Sequence, residues 1–258
     1  MTGVPAAPDG DHPPDLLGQT VVVIGGSSGI GLETARMARA HGADVVLAAR
    51  DPHRLREAGE LVDARSTVTL DVTDIARVER FFQDLPEPID HVMVTGPGPY
   101  YSSLADMDLA AARRDVGDRI VTTLAVARYG AARMRPPGTL LFVGGTGGRQ
   151  AGVGLTLISA LTAALQALIA SLAVELAPIR ANLIAAGFVD TPLSASLLGD
   201  QLDARRAELR ATLPIGRVVG AGDVAALAVH LMTNTALTGA TYDVDGGQQL
   251  LSNRGGSR

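Results

Sequence analysis

A cluster of glycines near the start of the chain has the residue types and the spacing needed to bind a phosphate. Gly25, Gly29 and Gly31 follow a short apolar run and precede a helical pattern. Glycines permit a tight turn, and the start of a helix offers unpaired N–H groups and a positive dipole end to an anion. The arrangement predicts a dinucleotide site, with a phosphate-binding turn formed by Gly25, Ser27, Ser28, Gly29, Ile30 and Gly31.

The end of the second apolar run indicates which dinucleotide would bind. An acidic side chain at that position would accept hydrogen bonds from a ribose 2′-hydroxyl and favour NAD(H). The residue here is Ala49, followed by Arg50, and a guanidinium can bind a 2′-phosphate through two hydrogen bonds. The sequence therefore favours NADP(H) over NAD(H). Asp51 leaves an alternative, since it could pair with Arg50 or take the acidic role itself.

Four side chains are candidates for chemistry on a substrate. Tyr100 and Tyr101 follow the fourth apolar run, where a phenol can donate a proton or hydrogen-bond a substrate oxygen. Thr146 and Arg149 follow the fifth run, where a hydroxyl could polarise a carbonyl and a guanidinium could stabilise an oxyanion. Each pair also has a plain structural interpretation, as aromatic walls of a pocket or as solvated loop residues.

Other polar residues are expected to have structural roles. Asp115, Asp118 and Arg119 lie near the start of a long helical pattern and predict a solvated or ion-paired cluster. His91 lies within an apolar run and is interpreted as a strand histidine. The five histidines are scattered without the spacing of metal ligands, so no metal site is expected.

Short apolar runs alternate with helical patterns, and this order must position the candidates. The strand-like runs are 20–25, 43–49, 67–72, 89–95, 138–144, 180–186 and 240–245. The clearest helical patterns are 32–41, 109–134, 156–177 and 223–232. The alternation predicts an α/β fold with a single doubly wound Rossmann domain, in which helices cover both faces of a parallel sheet of about seven strands.

The ends of the chain and one internal stretch depart from this alternation. Residues 1–17 and 252–258 predict mobile tails around a domain that spans 18–251. Residues 190–222 lie between a strand and a helix and combine prolines, glycines and an amphipathic stretch. An insertion at the carboxyl end of a strand predicts a lid over a substrate, although an ordinary packed excursion would read the same way.

Composition excludes several classes of function. Hydrophobic residues form 47% of the chain and charged residues 19%, as in a globular protein, and the net charge of −5 without a basic run argues against a nucleic-acid partner. Cysteine is absent, which excludes disulfides and thiolate chemistry. No signal-peptide pattern or uninterrupted membrane-length apolar run is visible, so a cytoplasmic protein is expected. All 22 basic residues are arginine, which excludes any mechanism that needs lysine.

Several motifs together resemble the short-chain dehydrogenase/reductase family. The spacing Gly25-x-x-x-Gly29-x-Gly31 is similar to that family's glycine motif, and the likeness continues through residues 70–73, 94–98, 175–182, 186–192 and 243–247. It covers roughly residues 18–250. The resemblance implies further cofactor contacts at Asp71, Val72, Thr95, Gly96, Val189 and Thr191.

The same resemblance implies a catalytic serine, a tyrosine and a lysine four residues after the tyrosine. The matching positions are at or near Gly145, Ile158 and Thr162. No tyrosine lies between Tyr129 and Tyr242, and the chain has no lysine, so a shifted alignment cannot restore the pattern. Either another group delivers the proton, or the reaction needs none, or the protein catalyses no reaction.

Three functions are consistent with these residues. The first is an NADP(H)-dependent oxidoreductase with a non-standard active site, acting on a small, apolar carbonyl, enone, quinone or imine-like substrate. The second is a non-redox enzyme such as a cyclase or isomerase on the same fold, and the third is a catalytically silent NADP(H)-binding sensor or partner subunit. The resemblance implies oligomer interfaces at the helix 156–177 and at residues 248–251, and the apolar surface of that helix agrees with this, so a homodimer or homotetramer is expected.

Overall fold

The protein is described here by a computed structural model that covers residues 16–86, 88–96, 98–149 and 151–251. The predicted tails at 1–17 and 252–258 lie outside these ranges, apart from Leu16 and Leu17. Leu16 is fully buried, and its N–H donates to the carbonyl of His41 at 3.0 Å. Leu16, which the prediction placed in the tail, thus belongs to an apolar core.

A parallel sheet of seven strands forms the centre of the molecule. Its strands are β1 (Thr20–Ile24), β2 (Asp44–Ala49), β3 (Ser66–Thr69), β4 (Ile89–Thr95), β5 (Met134–Gly145), β6 (Arg180–Ala186) and β9 (Thr241–Val244). Their spatial order is β3-β2-β1-β4-β5-β6-β9. From β1 the strand order runs outward to β3 on one side, and from β4 it runs outward to β9 on the other, so the order switches between β1 and β4. Ligands bind at such a switch point in open α/β sheets. The short strands β7 (Val189–Asp190) and β8 (Val219–Gly220) pair separately, at the base of the predicted lid.

Helices cover both faces of the sheet. They are α1 (Gly29–Ala40), α2 (Pro52–Val62), α3 (Ile75–Asp84), α4 (Leu109–Ala131), α5 (Thr156–Glu175), α6 (Pro192–Leu198), α7 (Leu202–Thr212) and α8 (Ala221–Thr233). One apolar core lies beneath α1, α2 and α8, and a second lies beneath α3, α4 and α5. This architecture confirms the predicted single doubly wound α/β domain.

Helix α5 is more apolar than a surface helix needs to be. Within the described ranges it is the helix that is long and apolar enough to cross a membrane by length and composition, with a mean hydropathy of 2.1. The sequence pattern did not reveal this property, because Thr, Ser and Gln interrupt the apolar residues. In the fold, one side of α5 joins an apolar core through Leu165, Ile169 and Leu172, but only 28% of its apolar window is buried.

Arg180, at the start of β6, is a buried cation surrounded by carbonyl oxygens. Its side chain is 4% exposed, and no carboxylate pairs with it in the described part of the chain. The guanidinium donates hydrogen bonds of 2.7–3.1 Å to the carbonyls of Pro137, Leu231, Met232, Asn234 and Leu237. Burial lowers the pKa of Arg180 below its ordinary value. The residue thereby joins the start of β5 and the end of α8 to β6.

Candidate active site

The glycine turn after β1 has the backbone geometry of an anion-binding turn. A Cβ on Gly25, whose φ is +86°, would lie 2.0 Å from Thr95 Oγ1, and one on Gly31 would lie 2.3 Å from the Gly25 carbonyl oxygen. Only glycine fits at these contacts. Ser28, the N-cap of α1, makes no side-chain capping bond, so the first N–H groups of α1 remain available to a phosphate.

The residues after β2 and β3 define the predicted adenosine end of the site. The Asp51 carboxylate caps α2 by accepting from the N–H groups of His53 at 2.9 Å and Arg54 at 3.2 Å. Arg50 is exposed and lies near enough to Asp71 to affect it. The pKa of Asp71 is lowered chiefly by hydrogen bonds from the backbone and side chain of Thr73, with a smaller contribution from Arg50. Asp51 therefore caps its helix, and Arg50 is exposed near Asp71.

The other predicted cofactor residues meet the glycine turn from two further strands. Thr95, at the end of β4, donates from Oγ1 to the carbonyls of Ile24 and Gly25 at 3.3 Å each. Thr191, the N-cap of α6, lies beside the turn, since a Cβ on Gly29 would be 3.5 Å from Thr191 Cγ2. Gly96 follows Thr95 directly, and Val189 is buried in β7. The fold thus brings the loops after β1, β4 and β6 together at one edge.

The two tyrosines after β4 have different surroundings. Tyr100 Oη accepts a hydrogen bond from the Asp108 N–H at 3.2 Å, at the start of α4. Tyr101 is 54% exposed, and its hydroxyl lies beside the loop after β5, 3.9 Å from the position of a Cβ on Gly147. Burial of part of the ring raises the pKa of Tyr101, and the nearby cation Arg119 opposes this shift. The Tyr101 phenol is therefore protonated near neutral pH and can act as a donor.

Thr146 and Arg149 are held by contacts within the protein. Thr146 has no exposed surface, and its Oγ1 donates to the carbonyl of Ala186 at 3.5 Å. Arg149 forms a two-pronged ion pair with Asp243 on β9, with Nη2 lying 2.6 Å from Oδ1. A fully buried hydroxyl does not contact a substrate in this conformation, and the Arg149 guanidinium is directed toward β9. These positions favour the structural interpretation of both residues.

The positions that resemble the usual catalytic triad carry no ionisable group. Gly145 ends β5, and Ile158 and Thr162 are buried on α5. The turn after β5 packs directly against them, because a Cβ on Gly148 would lie 2.6 Å from both the Ile158 carbonyl oxygen and Thr162 Oγ1. Across the described ranges, no group of three or more His, Asp or Glu side chains is arranged to hold a metal ion.

The burial of the Asp115–Arg119 ion pair on α4 is the main feature of the site that the sequence pattern did not reveal. Asp115 and Arg119 pair at 3.1 Å with side chains only 13% and 12% exposed, and Arg119 Nη2 donates to the Gly98 carbonyl at 2.7 Å. The i, i+4 spacing predicts the pair. Its burial could not be predicted, because it depends on the loop after β4 that folds over it. Arg119 fixes the loop that carries Tyr101.

The excursion between β7 and β8 lies over this edge. Asp190, in β7, forms a two-pronged ion pair with Arg206 on α7, with distances of 2.9 and 2.8 Å. Leu193 on α6 reaches the loop after β4, since a Cβ on Gly98 would lie 3.2 Å from Leu193 Cδ1. Few side chains of these two helices pack against the rest of the protein, because α6 has no buried residue and α7 buries only Leu209.

Comparisons with known proteins agree with this arrangement. The model of the family described as enoyl-(acyl carrier protein) reductase matches residues 24–249. The short-chain dehydrogenase/reductase ATR9 of Stachybotrys chlorohalonatus is 29% identical over 255 residues, which cover 92% of this chain and 99% of the relative.

Two solved structures are similar along nearly their whole length. MalC reductase/Diels-Alderase from Malbranchea aurantiaca has a TM-score of 0.84 at 25% identity, covering 91% of this chain and 98% of MalC. The NADPH-bound short chain oxidoreductase of Pseudomonas aeruginosa PAO1, which contains an atypical catalytic center, has a TM-score of 0.84 at 26% identity with the same coverage. The chain therefore belongs to the short-chain dehydrogenase/reductase family.

Proposed function

We propose that the protein is an NADP(H)-dependent oxidoreductase with a non-standard active site, which reduces a small, apolar carbonyl, enone or imine-like substrate. One observation carries the proposal: a complete glycine turn shares its sheet edge with Tyr101. Ile158 and Thr162 are the residues that the family resemblance matches to the catalytic tyrosine and lysine. The NADPH-bound Pseudomonas relative with an atypical catalytic center supports this combination.

Arg50 carries the preference for NADP(H). Its guanidinium is exposed beside Asp71, and Asp51, which could have neutralised it, is used as the cap of α2. A 2′-phosphate can accept two hydrogen bonds from such a group, whereas a 2′-hydroxyl offers no charge for it to pair with.

This site has few groups that could deliver a proton to the substrate. A bound nicotinamide would supply a hydride, and a ketone that accepted it would become an alkoxide that needs a proton. Tyr101 can donate one, but no lysine lowers its pKa, and Arg119 only partly opposes the upward shift caused by burial. Positioned acid catalysis contributes roughly 10²–10⁴ in rate. Substrates that need less help, such as an iminium carbon that becomes a neutral amine on receiving hydride, suit the site best.

The side chains around the entrance favour an apolar substrate. Loops after β4 and β5 touch each other, because the Ser102 N–H donates to the Gly154 carbonyl at 3.3 Å. The exposed apolar side chains carried by these loops and by the predicted lid are Leu104, Val153, Leu193, Leu197 and Ile215. Burying such surface on substrate binding is favourable by roughly 25 cal/mol per Å².

A second candidate function is cyclisation without net redox change. The structural likeness to MalC, a reductase/Diels-Alderase, favours it. Such a reaction needs a shaped apolar pocket more than a proton donor. It is distinguished by turnover of a diene substrate in the absence of any dinucleotide.

Titration of the nucleotide-free protein with NADPH and NADH tests the proposal. Arg50→Met is expected to weaken NADPH by about tenfold or more, since it removes a charge-assisted contact, and to leave NADH nearly unchanged. Arg54→Met is the matched control, because Arg54 is also exposed but lies on α2 near Asp51 at 3.7 Å. Equal affinities of the wild type for both dinucleotides would remove the Arg50 assignment. Failure to bind either one would remove the redox function.

A further inference from the structure

Two neighbouring threonines in the middle of α4 use their hydroxyls differently. Both are buried, with 6% of Thr122 and 7% of Thr123 exposed. Thr123 Oγ1 donates to the Arg119 carbonyl, four residues back, at 2.7 Å, which is a common bond for a threonine inside a helix. Thr122 Oγ1 instead donates to the carbonyl of Val72, 50 residues away in the chain, at 3.3 Å. Thr122 therefore connects α4 to the loop that follows β3.

The peptide group that Thr122 contacts is held at both of its ends. It joins Val72 to Thr73, so the Val72 carbonyl and the Thr73 N–H lie in one plane. The Thr73 N–H donates to Asp71 Oδ1 at 3.1 Å, and the Thr73 hydroxyl donates to the same oxygen at 2.9 Å. Because a peptide plane turns as a unit, the bond from Thr122 also fixes the N–H that orients the Asp71 carboxylate. Hydrogen bonds that act in series in this way polarise and strengthen one another.

The same loop has two polar groups available to a ligand. Within the described ranges, neither Asp71 Oδ2 nor the Val72 N–H makes a hydrogen bond to the protein. One of these groups accepts, the other donates, and they belong to consecutive residues. An adenine base has the complementary pair on its Watson–Crick edge, where the 6-amino group donates and N1 accepts.

The proposed function brings an adenosine to this loop. Arg50, which that function assigns to the 2′-phosphate, lies near enough to Asp71 to contribute to its lowered pKa. The 2′-phosphate and the adenine are attached to the same ribose. A base whose phosphate contacts Arg50 therefore lies within reach of Asp71 and Val72.

We propose that Thr122 is a positioning residue for adenine recognition, an inference that rests on the proposed NADP(H) function. Its hydroxyl holds the peptide between Val72 and Thr73 in the orientation in which Asp71 Oδ2 accepts from the 6-amino group and the Val72 N–H donates to N1. Thr122 acts through the loop after β3 and not through contact with the dinucleotide.

Reduced nicotinamide hypoxanthine dinucleotide phosphate is the probe for this role. It differs from NADPH only in the base, where a 6-oxo acceptor replaces the amino donor and N1 carries a hydrogen. Both contacts are lost together, and the groups of the loop are left unpaired. We expect the wild type to bind NADPH at least about tenfold more tightly than this analogue, as measured by calorimetry.

Thr122→Val removes the hydroxyl and keeps the branched shape of the side chain. It is expected to reduce the preference for NADPH about threefold or more, by weakening NADPH itself. Thr122→Ser should restore the preference, and the matched control Thr123→Val, which loses only a bond within α4, should retain it.

The pKa of Asp71, measured from its carboxylate ¹³C shift, gives a second readout that a purely structural role would not move. Hydrogen bonds from Thr73 are the main reason why this pKa lies below its ordinary value. Thr122→Val loosens the peptide that supplies one of them, so the pKa should rise toward its ordinary value. In Thr123→Val it should stay as in the wild type.

The outcomes separate this role from the proposed function. An unchanged preference in Thr122→Val, or an equal loss in Thr123→Val, would overturn the role of Thr122. A wild type that binds both bases equally would also refute it, yet a preference for NADPH over NADH would leave the proposed function standing. A wild type that binds no dinucleotide would remove the proposed function, and this role with it. Thr122→Ala provides the same comparison if Thr122→Val fails to fold.

Discussion

At the scale of single residues, the proposed function makes Tyr101 the proton donor. Its phenol is protonated because burial raises its pKa, and it lies beside the loop after β5. We expect Tyr101→Phe to slow reduction of a ketone or enone by roughly 10²-fold and to leave an iminium substrate nearly unaffected, because only the former needs a proton. Tyr100→Phe is the control, since Tyr100 Oη bonds the Asp108 N–H. NADPH oxidation measures both, and equal turnover of a ketone by wild type and Tyr101→Phe would remove Tyr101 as the donor.

His91 should make the stability of the protein depend on pH. Its pKa is about 4 in the fold and about 6.5 when unfolded, so the unfolded chain binds the proton more readily. The free energy of unfolding is therefore expected to be undiminished above pH 6.5 and to fall by up to about 3 kcal/mol as the pH drops to 4. Urea unfolding at several pH values measures this slope. His91→Gln should flatten it, while a similar flattening in the exposed control His230→Gln would contradict the assignment.

At the scale of elements, the Asp190–Arg206 ion pair ties helix α7 of the predicted lid to β7, in addition to the buried side chain of Leu209. Arg206→Met should detach α7 from β7, because it removes both hydrogen bonds to Asp190. Both side chains are about a third exposed, so the global free energy of unfolding should change by no more than about 1 kcal/mol. Hydrogen exchange in α6 and α7 should nevertheless quicken. Arg205→Met is the control, because Arg205 pairs with Glu208 on its own helix, and identical exchange in the two variants would refute this role.

Strands could be predicted from the sequence where an apolar run corresponds to a buried strand. Strands β1, β2, β4 and β6 begin within a residue of their predicted starts, because each is apolar along its length and ends at turn residues. The contacts of the site were not predictable in the same way. Arg149 finds Asp243 at a separation of 94 residues, and Thr146 is buried by β6, so both contacts depend on strands that are distant in sequence. The glycine turn could be recognised because its requirements are local.

At the scale of the whole molecule, the exposed side of α5 predicts self-association. Ala160, Ala163, Ala164, Ala167 and Val174 remain exposed on this helix, which leaves an apolar surface of small residues beside α4. We expect a homodimer or homotetramer in which two copies of this surface meet. Ala163→Arg with Ala167→Arg should reduce the mass measured by light scattering, at little cost to the helix itself. Ala40→Arg, at an exposed site on α1, is the control. An unchanged mass in the double variant would place the interface elsewhere.

The carbonyl oxygens around Arg180 limit which residues can replace it. Arginine and lysine exchange freely at most surfaces, and a chain that uses only arginine could reflect nothing more than codon usage. Five carbonyls from two segments converge on this planar fork of donors, and an ammonium offers only three. The carbonyls of Asn234 and Leu237 have other donors, the Leu237 N–H and Asn182 Nδ2. Those of Pro137, Leu231 and Met232 each accept from a different nitrogen of the fork, and a compact ammonium that could not span all three would leave a carbonyl unpaired, at about 1–3 kcal/mol. Whatever mutational bias first placed an arginine here, these three separated carbonyls now oppose its replacement by lysine.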